Sequence, residues 1–331
     1  MDRLYDMIIV GSGPAGLSAA IYAQRARLDT LVIEKDMVSG GQVLTTYEVD
    51  NYPGLPGING FDLGTKLREH ADKLGTRFVT DDVRKVETGQ EKSAGAAKGV
   101  EQEEILHAAE LAPQGTDVKS VICENGIYKS KTVLIATGAH HQNLNVPGES
   151  ELSGMGVSYC ATCDGAFFKN KTTAVVGGGD VALEDAVFLS RICQKVYLIH
   201  RRDQLRGAKS LQEAVFKQEN IEILWDTVVE EIIGEGRVEN LRIKNKKTQE
   251  NSLLPVQGVF IAVGIVPNSQ AFDGLVEMER GYIKAGEEGR TSVPGIFAAG
   301  DVRTKQLRQI VTAAADGANA VISAERYLAE R

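Results

Sequence analysis

The chain has 331 residues, 43% of them hydrophobic, which is enough for two ordinary domains with sizeable cores and too apolar for a disordered protein. Its 37 basic against 45 acidic residues give a net charge of -8, disfavouring general affinity for nucleic-acid phosphate or anionic lipid. No uncharged apolar run reaches the ~18–20 residues that span a bilayer. The four cysteines, with no charged-then-apolar leader ahead of residue 5, point to a reducing cytoplasm rather than export.

In chain order, residues 5–10 are an apolar run that ends at Gly11-Ser12-Gly13-Pro14-Ala15-Gly16. Pro14 stands where the first turn of a helix tolerates a missing N–H, and small and apolar residues continue toward Arg27, so the pattern reads as strand, turn, helix. Gly11 and Gly13 permit a tight turn and close approach to a pyrophosphate, while Gly16 lets the helix pack near the strand with its N-terminus facing the phosphate charge. Thr30-Leu31-Val32-Ile33-Glu34 is the second strand, and its acid lies about twenty residues beyond the glycines, the spacing of a ribose-binding carboxylate. Residues 87–117, rich in Ala, Gly, Glu and Lys, read as a solvated excursion with a short helix-like stretch near 101–111.

Strands over 132–138 and 259–264 end in Ala136-Thr137-Gly138 and Ala262-Val263-Gly264, and they bracket a second module. They are read as crossings, which makes the first nucleotide domain discontinuous, residues 1–139 and 265–331, around an inserted domain of residues 140–264.

The inserted domain carries Cys160-Ala161-Thr162-Cys163-Asp164, then a strand over 173–176, the turn Gly177-Gly178-Gly179-Asp180-Val181-Ala182, a helix over 181–192 and a strand over 195–200. The strand ends not in an acid but in His200-Arg201-Arg202, with Arg206 four residues on. An acid there would repel a 2′-phosphate, whereas guanidinium groups bind phosphate through paired donors, so NADPH is favoured over NADH. Thiols spaced Cys-x-x-Cys close a disulfide with little backbone movement, and the adjacent carboxyl group can supply or accept the proton. A structural zinc site would need two further ligands, and no second Cys-x-x-Cys or nearby Cys/His pair exists. Cys123 and Cys193 lie singly in apolar contexts and read as small buried hydrophobes. His140 and His141 read as exposed linker residues rather than ligands, and Trp225 has no interpretable neighbours.

Assembled, these motifs resemble the low-molecular-weight thioredoxin reductases over nearly the whole chain apart from 87–117. The matching segments also include Gly40-Gly41-Gln42, Asp50-Asn51-Tyr52-Pro53-Gly54, and Ala299-Gly300-Asp301-Val302-Arg303 with Arg308-Gln309. The resemblance implies an α/β fold of two Rossmann-like nucleotide-binding domains, each a three-layer ββα arrangement, the NADPH domain inserted into a discontinuous FAD domain. It assigns FAD to Gly11, Ser12, Gly13, Pro14, Ala15, Gly16, Glu34, Gly41, Gln42, Asn51, Val83, Asp301, Arg308, Gln309 and Ile310. NADPH falls to Gly177, Gly179, Asp180, Val181, Ala182, His200, Arg201, Arg202 and Arg206.

The same resemblance implies that Cys163 meets the flavin, that Cys160 exchanges with oxidised thioredoxin, that Asp164 is the acid/base, and that the protein is a homodimer. Dithiol and nicotinamide module share one domain and need the same flavin, so an alternating rotation of the domains is expected. The linker Ala139-His140-His141-Gln142 departs from the family, many members of which carry a proline and a basic residue there. A ferredoxin-dependent flavin thioredoxin reductase is the nearest rival, against which Arg201 and Arg202 weigh; a redox-silent sensor that binds FAD and NADP(H) is the alternative outside enzymes. Relatives of glutathione reductase place their disulfide after the first module, where Ser39-Gly40-Gly41-Gln42 has no cysteine.

Overall fold

The computed structural model describes residues 3–46, 48–89 and 118–331; the helix-like stretch expected at 101–111 lies outside them. The first elements are β1 (Leu4–Val10), α1 (Pro14–Arg25), β2 (Thr30–Glu34), α2 (Gly60–Lys73), β3 (Arg77–Thr80), β4 (Val83–Thr88), β5 (Lys119–Cys123), β6 (Ile127–Ile135) and β7 (Ala139–His141). The middle of the chain gives β8 (Val157–Ser158), α3 (Ala161–Asp164), β9 (Thr172–Gly177), α4 (Asp180–Ser190), β10 (Lys195–Ile199), α5 (Lys209–Phe216) and β11 (Ile221–Leu224). There follow β12 (Thr227–Ile233), β13 (Asn240–Asn245), β14 (Asn251–Pro255), β15 (Gly258–Ala262) and β16 (Ile265–Pro267). The last are β17 (Met278–Glu279), β18 (Tyr282–Ile283), β19 (Ile296–Ala298) and α6 (Ile310–Ala329).

The chain divides into two compact units, one of Met1–Thr45, Ile58–Ala139 and Pro267–Arg331, the other of Thr46–Gly57 and His140–Val266. The segment Thr46–Gly57 thus differs from the expected continuous run 1–139. It is rich in turn residues, Pro53, Gly54, Pro56 and Gly57 among them, and its described residues include no helix or strand that would dock it on the first sheet.

In the first unit the sheet order is β3-β2-β1-β6-β5-β4, with β19 also on β6. The pairs β3-β2, β2-β1, β1-β6 and β6-β19 are parallel, and β4-β5-β6 is antiparallel. Strands covered on both faces read as continuous apolar runs, and period two sorts their side chains. Met7, Ile9, Val32, Leu134 and Phe297 face a core shared with α1 and α6. Ile8, Val10, Leu31, Ile33, Ile135 and Ile296 face a second core with Val86, Val121, Phe272 and Ile283.

The second unit is built on a parallel sheet of order β11-β10-β9-β15-β8. Val175, Leu198 and Phe260 pack on the helix side with Ala182, Leu183, Ala186 and Leu189 of α4. Val176, Ile199, Val259 and Ile261 pack on the other side against the antiparallel meander β12-β13-β14 through Val229, Ile232, Leu241 and Ile243. Meander, sheet and helices are the three expected layers.

The strands expected to run to Gly138 and Gly264 stop at Ile135 and Ala262. Both glycines instead take left-handed φ, +69° and +147°, in the turns that leave the sheets. Those turns are tied on their own sides: Asn268 N–H donates to Gly138 O at 2.9 Å and Thr137 Oγ1 to Asn268 O at 2.6 Å, while Gln142 N–H donates to Gly264 O at 2.9 Å.

Candidate dithiol site and nucleotide cradles

The dithiol lies in the second unit at the end of β8. Cys160 is the extended N-cap residue of α3, a single helical turn, and is disulfide-bonded to Cys163 with Cα atoms 5.3 Å apart. The i, i+3 spacing of a helical turn places the two sulfurs on one face. Backbone N–H groups of Cys163 and Asp164 donate to Cys160 O at 3.2 and 3.1 Å, closing the turn.

Asp164 is the only carboxyl group within the motif, and Ser158 Oγ donates to its Oδ2 at 2.6 Å while accepting the Cys160 N–H at 3.1 Å. One serine therefore fixes both the acid and the backbone of the first cysteine. Burial raises the Asp164 pKa above the usual carboxylate range, and the Ser158 hydrogen bond opposes that by favouring the ionised form. Sequence reading missed Ser158; its position two residues before Cys160 was the available signal.

A second brace follows from Glu149, a buried carboxylate that accepts the N–H groups of Leu144 and Asn145 at 2.9 and 2.6 Å and the Tyr159 hydroxyl at 2.8 Å. His141 stacks on the Tyr159 ring with centroids 5.4 Å apart. The expectation that both linker histidines are exposed is corrected at His141: the neighbouring aromatic ring draws it in, and burial, with His140 adding, lowers its pKa. His140 is exposed.

The second-unit cradle forms where β9 meets α4. Gly177 and Gly179 flank the turn, and Asp180, at the first position of α4, accepts the Ala208 N–H at 2.7 Å. His200 departs from its expected role as a phosphate contact. It is 3% exposed, and its ring nitrogens lie 2.8 Å from Gly177 O and 2.9 Å from Gln204 O, so it braces the loop from within. A side chain at Gly178 would collide with this ring, which is why the position is glycine. Trp225 meets the same imidazole edge-on, centroids 6.3 Å apart, giving the lone tryptophan a packing role.

With Arg206 N–H held by Gly178 O at 2.7 Å, the loop projects Arg201, Arg202 and Arg206 into solvent. None of the three makes an ion pair among the described residues. The nearby acid Asp203 is instead engaged by Lys247 at 3.3 Å. A loop offering three uncommitted guanidinium groups and no free acid suits a phosphorylated ribose.

In the first unit Gly13 is the extended N-cap of α1, and Pro14 occupies its first position. Gly11 has φ +103°, and a Cβ there would lie 2.5 Å from Ala136 O, so the turn admits only glycine. Ser12 O accepts the Gly40 N–H at 2.9 Å, which brings Gly41 and Gln42, in a 3₁₀ turn over Gly41–Thr45, beside the glycine turn. Ala15 and Gly16 are buried in α1.

Glu34 ends β2 buried, accepts Ser39 Oγ at 2.8 Å, and has its pKa raised by burial against the pull of Ser39 and Arg68. Across the sheet, Asp301 lies in a 3₁₀ turn over Gly300–Val302. Asp301 Oδ1 and Arg308 Nε are buried polar atoms with no hydrogen-bond partner among the described residues, although Arg308 stacks on Tyr282 at 4.2 Å. Buried polar groups without partners are rare and point to a bound group that satisfies them. Glycine turn, terminal acid and orphaned polar atoms together fit a dinucleotide.

Gln309 caps α6 in a reciprocal box with Thr312, and Ile310 is the first helical residue. Val83 opens β4 opposite Cys123. Asn51 lies in Thr46–Gly57, which groups with the second unit. Cys123 and Cys193 are buried; burial pushes the Cys123 thiol up to about 12 and raises Cys193 as well, so both are inert at neutral pH. Among the described residues no cluster of His, Cys, Asp or Glu could hold a metal ion.

Residues 5–317 match the family of pyridine nucleotide-disulphide oxidoreductases. A thioredoxin reductase of Listeria innocua is 46% identical, over 99% of this chain and 95% of that relative, and one of Bacillus subtilis is 43% identical over 99% and 96%. The crystal structure of thioredoxin reductase from Streptococcus pyogenes superposes with a TM-score of 0.88 at 41% identity, covering 100% of both chains. With two Rossmann-like units, a cysteine pair at the expected place and full-length likeness, the chain belongs to the thioredoxin reductases of the pyridine nucleotide-disulphide oxidoreductase family.

Proposed function

We propose that the chain is an NADPH-dependent thioredoxin-disulfide reductase that holds FAD in its first unit and NADPH in its second. The observation that carries this reading is the Cys160–Cys163 disulfide, with the Asp164 carboxyl group and the Cys160 backbone both bonded to Ser158, in the same unit as a glycine turn followed by arginines that make no ion pair among the described residues. A sensor has no need of an acid placed beside a disulfide; a reductase does.

FAD, when bound, supplies the two-electron chemistry that links NADPH oxidation to disulfide reduction. The protein's own residues do the rest. Glu34 accepts from ribose hydroxyls, the Gly11 to Gly16 turn admits the pyrophosphate to the N-terminus of α1, and Arg201, Arg202 and Arg206 select the phosphorylated nicotinamide nucleotide. Two electrons and two protons convert the Cys160–Cys163 disulfide to two thiols. The Cys160 thiolate then attacks the disulfide of oxidised thioredoxin, forming a mixed disulfide and releasing one partner thiol. Cys163 attacks Cys160 Sγ, re-forming the internal bond and releasing the second. Asp164, kept protonated to higher pH than an ordinary carboxyl group, donates to the departing thiolate and regains a proton from the next nucleophile. The reading includes a cytoplasmic homodimer, as the resemblance implies; among the described residues no helix is long and apolar enough to cross a membrane.

An anaerobic titration tests it. NADPH should bleach the flavin colour stoichiometrically, NADH should do so only at far higher concentration, and oxidised thioredoxin should restore the colour. Colour that persists under excess NADPH but fades with reduced ferredoxin transfers the chain to the ferredoxin-dependent reading, and colour that fades without reducing thioredoxin leaves the sensor.

A further inference from the structure

Asp316, buried on α6, accepts four hydrogen bonds from three residues. Its Oδ2 takes the Gly300 N–H at 3.0 Å, Arg303 Nε at 2.9 Å and Lys305 Nζ at 2.8 Å, and its Oδ1 takes Arg303 Nη2 at 2.6 Å. Arg303 Nη1 donates to the carbonyls of Ala285 and Thr304 at 3.2 and 2.9 Å, anchoring the guanidinium at both ends. All three side chains are at most 9% exposed.

A buried ion cluster is a poor source of net stability, because desolvation offsets the attraction between its charges. What it does supply is direction. Here Asp316 holds the turn over Gly300–Val302 at both ends, by the Gly300 N–H at its start and by Arg303, the residue that caps it; the middle residue of the turn is Asp301, whose Oδ1 is buried with no hydrogen-bond partner among the described residues. Two cations on one carboxylate leave a positive charge in excess, and ionised Asp301 is the neighbour that balances it. Burial, with the Asp316 charge adding, raises the Asp301 pKa above the usual carboxylate value, and Lys305, Arg308 and Arg303 oppose that by favouring the ionised form. An ionised carboxylate only accepts hydrogen bonds, so it suits a ligand that brings hydroxyl donors and not one that brings acceptors.

We propose that Arg303, Lys305 and Asp316 form a positioning set that holds the Gly300–Val302 turn, so that Asp301 presents an acceptor-only carboxylate to hydroxyl groups of the bound flavin nucleotide. The inference rests on the flavin reading of the first unit. Neither Lys305 nor Asp316 belongs to any motif visible in the sequence; they come together because α6 turns its buried face beneath the loop that precedes it.

The test is flavin affinity rather than turnover. Apoprotein of the full chain is titrated with FAD, following quenching of flavin fluorescence, for the parent, Asp316→Asn, Lys305→Met, Asp301→Asn, and the doubles that combine Asp301→Asn with each of the other two. Far-ultraviolet circular dichroism and the thermal midpoint of each apoprotein report that each variant has folded. Asp316→Asn should weaken FAD binding by about ten- to a hundredfold, the range of a charged hydrogen bond, and Lys305→Met by a smaller factor. In the Asp301→Asn background neither should weaken it further, because the residue they position is gone.

A merely structural role gives the opposite pattern, with the factors multiplying, and that result overturns the proposal, as does parent-like affinity in both single variants. Should Asp316→Asn fail the folding check, the Lys305→Met cycle decides alone. A parent that takes up no FAD at all sinks the flavin reading itself.

Discussion

Asp164 shows how one residue's chemistry depends on a neighbour that carries no chemistry of its own. The carboxyl group is protonated to higher pH than usual because burial disfavours its charge, and Ser158 limits that effect by donating to the ionised form. Turnover with thioredoxin should therefore fall as pH rises through this raised value. Ser158→Ala removes the opposing hydrogen bond, so the falling limb of the pH–rate profile should move to higher pH; Asp164→Asn should abolish the limb and lower turnover roughly ten- to a thousandfold. A limb that moves to lower pH in Ser158→Ala would remove Asp164 from the acid role. Cysteines and acid were legible in the motif, whereas the part proposed for Ser158 rests on β8 bringing its hydroxyl within reach of the Asp164 carboxyl group and the Cys160 N–H. His200 went the other way: read as a phosphate contact, it is enclosed by Gly177, Gly178 and Gln204, because its ring nitrogens lie against the carbonyls of Gly177 and Gln204 while the residues that follow it turn out to solvent.

At the scale of elements, alternation of apolar residues sufficed for the parallel strands, since a strand covered on both faces has little choice of residue type. Ends were harder to read. Gly138 and Gly264 continue the apolar pattern of their strands but take left-handed φ and lie beyond the last ladder pair. Helix α4 was legible from its glycine turn, yet it carries a feature that no pattern disclosed. Asp185 is buried on this helix, 9% exposed, and burial, with the charge of Glu184 adding, pushes its pKa up from 3.8 to about 7.

The folded chain thus holds a proton that the unfolded chain releases, and stability should fall by roughly 4 kcal/mol as pH rises from about 4 to about 7. Asp185→Asn should stabilise the protein in denaturant unfolding at about pH 8 and change little at about pH 4.5. An equal effect at both pH values would show that the acid is not neutral in the fold.

For the whole molecule, the two units divide the labour. Cys160→Ser should leave NADPH bleaching the flavin and abolish thioredoxin reduction, since the variant retains both nucleotide cradles and lacks only the exchanging sulfur. Loss of bleaching along with thioredoxin reduction would mean that the dithiol is needed before the electrons reach it. By itself the sequence determined the two Rossmann-like modules, the crossings between them and the cysteine pair, and its arginines support the proposed preference for a phosphorylated nucleotide. All of these rest on contiguous residues whose spacing is set by a strand, a turn and the first turn of a helix. Tertiary structure alone decided the Ser158–Asp164 bridge, the stacking of His141 on Tyr159, the grouping of Thr46–Gly57 with the second unit and the meeting of Arg303, Lys305 and Asp316. In each of these, side-chain reach and burial choose the partner, and neither quantity is written in the spacing of residues along the chain.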